Sequence, residues 1–201
     1  MKVCLTGGIA SGKSLLSRYL NELGVKTIDA DDIVHTIIPK EERERLRKIV
    51  FTNPDARKEL ESRIHPLVRQ KILDFLEKNS SLYSLGDRSQ ELGVRSQESL
   101  TPNPYPLAPP IAIIPLLFEV QWEKDYDIII CVLSSREKQI ERMTALRGYS
   151  RAEAEARLAA QMDPAIKAAK SDYVILNDST DEDLKAEAVK LVEYLVSRSK
   201  A

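Results

Sequence analysis

The chain has 201 residues, of which 43% are hydrophobic and 30% are charged, and its formal net charge at pH 7 is −1. This length and composition predict one globular domain with its own hydrophobic core. The near-zero net charge gives no overall attraction to nucleic acid or to an anionic membrane surface, and the sequence has no run of about 18 apolar residues that could span a membrane. We therefore expect neither partner, and we expect a monomer or a weak oligomer.

The cysteines and the N-terminus predict a cytoplasmic protein. Cys4 and Cys131 lie inside apolar, strand-like runs, and neither has partners at the spacing of a metal or redox site, so we interpret both as reduced core residues. The first residues lack the long apolar region and the cleavage site of a signal peptide.

The hydrophobic pattern predicts strands and helices that alternate along the chain. Short apolar runs ending in turn residues predict strands, and apolar residues at helical spacing predict helices. In chain order the predicted elements are a strand at 2–5, a helix at 13–23, a strand at 25–28, a helix that begins near Asp31, helical composition over 41–78, strands at 111–118 and 127–133, helices at 137–146 and 151–162, a strand at 173–176 and a helix at 181–199. This alternation is typical of an α/β fold with a mostly parallel sheet, whose ligands bind at the carboxyl ends of the strands.

Residues 79–110 differ in character from the rest of the chain. They are rich in Ser, Gln, Gly and Pro, and the sequence Arg-Ser-Gln-Glu at 88–91 recurs at 95–98. Such a segment has too few apolar residues to build a core, so it predicts a flexible surface insertion outside the active site.

Residues 7–14 read Gly-Gly-Ile-Ala-Ser-Gly-Lys-Ser and match the phosphate-binding loop G-x-x-x-x-G-K-[ST] between a predicted strand and helix. Backbone N–H groups of such a loop point at phosphate oxygens, and the helix N-terminus adds a favourable dipole. We predict that the Lys13 ammonium contacts the β- and γ-phosphates during catalysis and that the Ser14 hydroxyl ligates Mg²⁺. The predicted ATP-binding residues are Gly8, Ile9, Ala10, Ser11, Gly12, Lys13, Ser14 and Leu15.

Asp29 and Asp31 follow the second predicted strand, where an acceptor hydroxyl would approach the γ-phosphate. A carboxylate at this place can accept the hydroxyl proton or orient the hydroxyl group. The alternative is that both residues are acids in the first turn of a helix, which complement its dipole.

Four arginines follow the fourth strand and predict a mobile lid over the phosphates. They are Arg142, Arg147, Arg151 and Arg157, and the predicted lid spans 142–170. For any one of them the alternative is a solvated helix face with acidic neighbours four residues away.

A phosphate-binding loop alone does not separate kinases from nucleotide-dependent switches. The chain lacks the Asn-Lys-x-Asp guanine signature and an Asp-x-x-Gly after the third strand. The sequence therefore favours a kinase that transfers phosphate from MgATP to a hydroxyl group of a small molecule.

Several further motifs in order along the chain give it a resemblance to the dephospho-coenzyme A kinase family. The matching segments are 5–14, 23–25, 28–31, 65–69, 115–119, 141–142, 157–161, 172–175 and Asn177. The combination of Asp-Ala-Asp, His-Pro and Pro-Leu-Leu-Phe-Glu is more specific than the phosphate-binding loop.

The resemblance implies phosphorylation of the ribose 3′-hydroxyl of dephospho-coenzyme A by ATP, which gives coenzyme A and ADP. A related kinase for another small hydroxyl acceptor, such as a nucleoside or nucleotide, is the alternative. The implied fold is a three-layer αβα P-loop NTPase of 1–201 with a five-stranded, mostly parallel sheet, a helical acceptor-binding region at 31–78 and the lid.

The resemblance also implies roles for individual residues. Asp31 would be the catalytic carboxylate, Arg142 would act on the phosphates, and Asn177 would lie near the adenine. The residues expected at the acceptor are Asp31, His65, Arg69, Glu119 and Arg157.

The chain departs from the family pattern at two places that matter. Ala10 replaces the usual glycine of the phosphate-binding loop, a change that suits the loop where its φ is negative. After Asp31 the family has a longer helical stretch, so part of the acceptor-binding region is predicted to be missing here.

Overall fold

Five strands form one parallel sheet in this computed structural model, which describes residues 1–39, 41–43, 46, 53–91 and 108–199, with the backbone alone for residues 54, 57 and 81–91. The strands are β1 Val3–Gly7, β2 Thr27–Asp29, β3 Ile111–Ile113, β4 Ile128–Leu133 and β5 Tyr173–Leu176. Their order across the sheet is β2-β3-β1-β4-β5, and every neighbouring pair is parallel. The predicted α/β class and the five-stranded parallel sheet are confirmed.

Helices cover both faces of this sheet. Those that the structure describes are α1 Lys13–Glu22, α2 Ala30–Ile37, α3 Pro54–Glu91, α4 Arg136–Arg147, α5 Arg151–Ala159, α6 Pro164–Ala169 and α7 Asp181–Ser199, with a short 3₁₀ helix at Glu123–Asp125. Among the described residues, no helix combines the length and apolar character that a membrane crossing requires.

The alternation of side chains along β1 divides the core into two layers. Val3 and Leu5 point to the face covered by α1 and α7, whereas Cys4 points to the face covered by α2 and α3. Both layers consist mainly of buried aliphatic side chains, and their burial stabilises the three-layer arrangement.

Local sequence signals explain where several helices begin. The Asp29 carboxylate accepts a hydrogen bond from the Asp31 backbone N–H at 2.8 Å and caps α2. Ser150 and Glu153 form a reciprocal capping box at the start of α5. Asp163 caps α6, with Pro164 in the first turn.

The structure shifts several predicted boundaries by one to three residues, corrects two by more than that, and adds one helix. β3 ends at Ile113, because the apolar residues that follow it turn away from the sheet while Leu117 and Phe118 remain buried. The helical region does not end at residue 78, since α3 continues to Glu91; the rest of the predicted insertion, at 92–107, lies outside the described residues. The sequence did not predict α6.

Candidate active site

A cleft of about 550 Å³ lies at the carboxyl ends of the strands, where an α/β sheet is expected to bind its ligands. It brings together the predicted phosphate-binding loop, the carboxylates after β2 and the basic helix after β4. The residues that line it are Ile9, Ala10, Ser11, Gly12, Lys13, Ser14, Leu15, Asp29, Asp31, Pro115, Leu116, Arg142, Leu146, Arg147, Gln161, Asn177 and Asp181.

The end of β5 fixes the shape of the phosphate-binding loop. The buried Asn177 side chain donates a hydrogen bond from Nδ2 to the Ser11 carbonyl oxygen at 2.8 Å. Gly12 beside it has a φ of +104°, and a Cβ atom there would collide with the Asn177 amide. Gly12 is therefore required both for its backbone conformation and for the close approach of β5.

Lys13 is held against the backbone of the same loop. Its Nζ atom donates hydrogen bonds to the carbonyl oxygens of Gly7 at 2.9 Å and Gly8 at 2.7 Å. An ammonium group has three donors, so a third remains for a phosphate oxygen. Burial lowers the pKa of Lys13 from 10.5 to about 8, and the positive charge of Lys167 adds to this effect.

The two carboxylates after β2 have different surroundings. The Asp29 carboxylate is half-buried and caps α2, and burial raises its pKa above the usual range. Asp31 is exposed at the cleft, and within the described part of the chain its carboxylate makes no hydrogen bond. Asp29 is the N-cap of α2 and Asp31 lies in its first turn, so the alternative of acids that complement the helix dipole fits both residues, and Asp31 is the one whose carboxylate is exposed at the cleft.

Arg142 joins the phosphate-binding loop to the ends of β4 and β5. Its guanidinium donates hydrogen bonds to the Ala10 carbonyl oxygen at 3.3 Å, the Ser134 hydroxyl at 3.0 Å and the Asn177 carbonyl oxygen at 2.9 Å. These contacts place a positive charge at the cleft before any ligand is bound. Arg147, five residues further along α4, also lines the cleft.

Ala10 adopts a conformation that alanine rarely adopts. Its φ is +55°, in the left-handed region, so the condition under which alanine would suit the loop, a negative φ, is not met. The chain stores local backbone strain here, since a Cβ atom in this region meets the following carbonyl group.

Two glutamine side chains form hydrogen bonds with the backbone N–H and carbonyl groups of Ile9. Neither glutamine was assigned a role from the sequence. The Gln139 side chain on α4 donates from Nε2 to the Ile9 carbonyl oxygen at 2.7 Å. The Gln161 side chain, just after α5, accepts the Ile9 N–H at Oε1 over 2.8 Å. Gln161 belongs to a segment that carries the family resemblance, which was the available signal, whereas no local pattern marks Gln139.

A buried lysine on α6 supports the neighbouring wall of the cleft. Lys167 has no exposed surface, and its Nζ lies 2.7 Å from Glu119 Oε1 and 2.9 Å from the Pro115 carbonyl oxygen. The same Glu119 oxygen accepts the Met162 N–H at 3.3 Å. These bonds connect α6, the turn after β3 and the residue that follows Gln161.

The structure does not bring four of the predicted substrate-binding residues into the cleft. Glu119 is paired with Lys167, Arg69 binds both carboxylate oxygens of Asp125, His65 meets the Trp122 ring edge-on at 5.7 Å, and Arg157 lies 4.4 Å above the Tyr149 ring. Each side chain has a structural partner that a sequence pattern does not show. Arg151 is likewise engaged on the surface with Glu137 and Glu155.

The arrangement that results is specific to one class of P-loop protein. A phosphate-binding loop after β1 shares the cleft with an unpaired carboxylate after β2, and a basic helix after β4 contacts that loop and the end of β5. This is the geometry of a P-loop kinase, in which a phosphoryl group passes from a nucleotide to a hydroxyl group held beside the carboxylate.

Comparison with known proteins narrows the class to one family. The sequence profile of the family described as dephospho-CoA kinase matches residues 1–43 and 98–183. The chain is 32% identical to a dephospho-CoA kinase from Helicobacter pylori, over 96% of this chain and 97% of that protein. It is 34% identical to a dephospho-CoA kinase from Geobacter metallireducens, over 97% of this chain and 96% of that protein.

A solved structure gives the same result. Dephospho-CoA kinase from Campylobacter jejuni is 28% identical to the chain and superposes with a TM-score of 0.64, covering 99% of this chain and all of that one. The chain belongs to the dephospho-CoA kinase family, and ATP is the phosphate donor of such kinases.

Proposed function

We propose that this protein transfers the γ-phosphoryl group of MgATP to the ribose 3′-hydroxyl of dephospho-coenzyme A, giving coenzyme A and ADP. The observation that carries the proposal is the position of Asp31, whose carboxylate faces the cleft opposite Lys13 and is used by no other contact in the described residues. In that position it can accept the proton of a hydroxyl group as the hydroxyl oxygen attacks the γ-phosphorus.

The positively charged side chains of the cleft act on the phosphate groups of the donor. Lys13 and Arg142 neutralise the charge that develops on the phosphate oxygens, and both are already oriented by backbone carbonyl groups. A preorganised donor loses little freedom when the transition state forms, which is why such groups contribute strongly to catalysis.

The donor set of the cleft fits Mg²⁺. Mg²⁺ prefers oxygen ligands and usually combines one or two protein groups with phosphates and water. The exposed Ser14 hydroxyl at the start of α1 and the nearby Asp31 carboxylate are such groups. Ser14 would hold the ion, which would supply positive charge to the phosphates.

The nucleotide base is assigned to the β5 end of the cleft. A smaller cavity of about 260 Å³ begins at Asn177 and continues along Thr180 and Leu184. It lies at the opposite end from Asp31, so an ATP molecule with its adenosine there would direct its γ-phosphate toward the acceptor carboxylate.

The test is an assay of ADP release with MgATP, in which dephospho-coenzyme A is compared with adenosine, AMP, other nucleoside monophosphates and a control without acceptor. We expect stimulation by dephospho-coenzyme A alone, with coenzyme A as the product. The family profile leaves residues 44–97 unmatched, and this interval includes much of the predicted acceptor region. Stimulation by another acceptor instead would identify a kinase of the same class with a different substrate.

The role of Asp31 has a matched control in Asp32, an exposed neighbour on α2 that does not line the cleft. We expect Asp31→Asn to lower kcat about 100-fold or more, with ATP affinity within about threefold of wild type. Asp32→Asn should leave both nearly unchanged. Equal losses of kcat and ATP affinity in Asp31→Asn would contradict the assigned role.

A further inference from the structure

We propose that Gln161 is a further catalytic residue, whose side-chain amide donates hydrogen bonds to the γ-phosphoryl oxygens of bound ATP. The inference rests on the proposed function in taking ATP as the donor, and it adds a contact to the transferred group. It starts from the bond between Gln161 Oε1 and the Ile9 N–H at 2.8 Å.

This bond fixes which way the carboxamide points. The Ile9 N–H can only donate, so the atom that faces it must be the oxygen of Gln161 and not its nitrogen. The NH₂ group of Gln161 is therefore turned away from Ile9. Gln161 is half-buried and lines the cleft, and no described residue accepts a hydrogen bond from its NH₂ group.

The position of the bond identifies the phosphate that the NH₂ group would meet. Lys13 Nζ is hydrogen-bonded to the carbonyl oxygens of Gly7 and Gly8, the two residues before Ile9. A phosphate-binding lysine of this type contacts the β- and γ-phosphates. Gln161 thus lies at the γ-phosphate end of the cleft, away from Asn177 and the proposed base site.

The backbone next to Gln161 is also held in place by a hydrogen bond. The next residue, Met162, donates its N–H to Glu119 at 3.3 Å, and Glu119 is paired with the fully buried Lys167. A group that stabilises a transition state must be held in place before the reaction. Glu119 and Lys167 are positioning residues in this arrangement, because they act on the phosphoryl group only through Gln161 and the cleft wall.

Gln139 provides a matched control, because its side chain binds the same residue, Ile9. It binds the Ile9 carbonyl oxygen, but only 2% of its surface is exposed and its Nε2 is committed to that bond. Loss of Gln139 should change the shape of the phosphate-binding loop without removing a phosphate contact, whereas loss of Gln161 should mainly remove a contact with the γ-phosphate.

The experiment measures the affinity of ADP and of the imido analogue AMPPNP, each with Mg²⁺ and without any acceptor, in Gln161→Met, Gln161→Glu and Gln139→Met. ADP lacks the γ-phosphoryl group and AMPPNP has it. We expect Gln161→Met to weaken AMPPNP about tenfold, as for a hydrogen bond to a charged group, while ADP affinity changes less than about threefold. Gln161→Glu keeps the oxygen that faces Ile9 and adds a negative charge, so it should weaken AMPPNP further.

Gln139→Met should weaken the two nucleotides equally. Thermal unfolding of each variant shows that the binding data come from folded protein. In turnover assays Gln161→Met should lower kcat by about 10- to 100-fold, with little change in the KM of the acceptor. An equal loss of ADP and AMPPNP affinity in the Gln161 variants, or no loss of either, would overturn the proposal.

These binding measurements separate the inference from the proposed function. They use no acceptor, so a selective loss of AMPPNP affinity supports Gln161 even if dephospho-coenzyme A proves not to be the substrate. Conversely, dephospho-coenzyme A can be the substrate of a protein in which Gln161 makes no contact with the phosphate.

Discussion

The charge of Lys13 depends on the protonation of its ammonium group, which bound phosphate would favour. Burial lowers its pKa to about 8, mainly because the ammonium loses contact with water. The folded protein therefore loses this proton at a lower pH than the unfolded chain does. The destabilising effect of burying the charge is fully present below pH 8, and it is relieved as pH rises from about 8 toward 10.5.

Nucleotide affinity should show the opposite trend with pH. The phosphates require the protonated ammonium, which the unliganded protein has half lost at about pH 8 and loses further above it. We expect ADP affinity to fall as pH rises from 8 to 9.5, with proton uptake on binding. Calorimetry in two buffers of different ionisation enthalpy measures that uptake. Lys13→Met should bind weakly and lose this pH dependence, and wild-type affinity that stays constant to pH 9.5 would contradict the assignment.

The strain at Ala10 can be measured against a second residue in the same conformation. Ala10 and Gln121 both have φ values near +55° to +58°, where glycine relieves a cost of about 1 kcal/mol. Gln121 is exposed, whereas Ala10 packs against the cluster of Ile140 and Met143. We therefore expect Gln121→Gly to raise the free energy of unfolding by about 0.5–1 kcal/mol, and Ala10→Gly to raise it less.

Urea unfolding of the two variants gives this comparison directly. A larger gain for Ala10→Gly than for Gln121→Gly would show that the Ala10 methyl group contributes nothing to packing.

At the scale of elements, the Lys167–Glu119 ion pair joins α6, the segment that follows α5 and the turn after β3. The two partners are not equivalent, because Lys167 has no exposed surface and Glu119 keeps 24% of its side chain exposed. Removal of Glu119 leaves a buried positive charge, whereas Glu119 can recover contact with water when Lys167 is removed.

We expect Glu119→Leu to lower the free energy of unfolding by about 3 kcal/mol, and Lys167→Met to lower it less. The double variant should be more stable than Glu119→Leu alone, since it removes the uncompensated charge. Chemical denaturation of the three proteins measures these differences. A double variant less stable than both single variants would show that the pair stabilises the fold beyond the compensation of its own charges.

Element boundaries show what the sequence could and could not predict. β5 was placed correctly at Tyr173–Leu176, and α7 at Asp181–Ser199, because clear apolar periods end at Asn, Asp and Ser residues. β3 was made too long, since the apolar residues after Ile113 are buried in a turn, and burial alone does not distinguish a turn from a strand. The extension of α3 to Glu91 lies in a polar segment that carries no helical period.

At the scale of the whole molecule, the fold and the phosphate-binding loop were predictable because both depend on local patterns: alternating elements and a motif of eight consecutive residues. Whether the other predicted site residues are free or paired with a structural partner was not predictable in this way. Arg69 is paired with Asp125, which lies 56 residues away along the chain. Glu119 is paired with Lys167, which lies 48 residues away. Such partners become evident only when the tertiary structure brings the segments together.

The order of the strands also determines when the nucleotide site can form during synthesis of the chain. β1 is made before its partners but lies at the centre of the sheet, and those partners, β3 and β4, begin only at Ile111 and Ile128. The loop that follows β1 is held by Arg142 and by Asn177. A nascent chain therefore carries its phosphate-binding sequence well before the partners of that sequence exist, and it acquires the ability to bind a nucleotide only after Asn177 has been made.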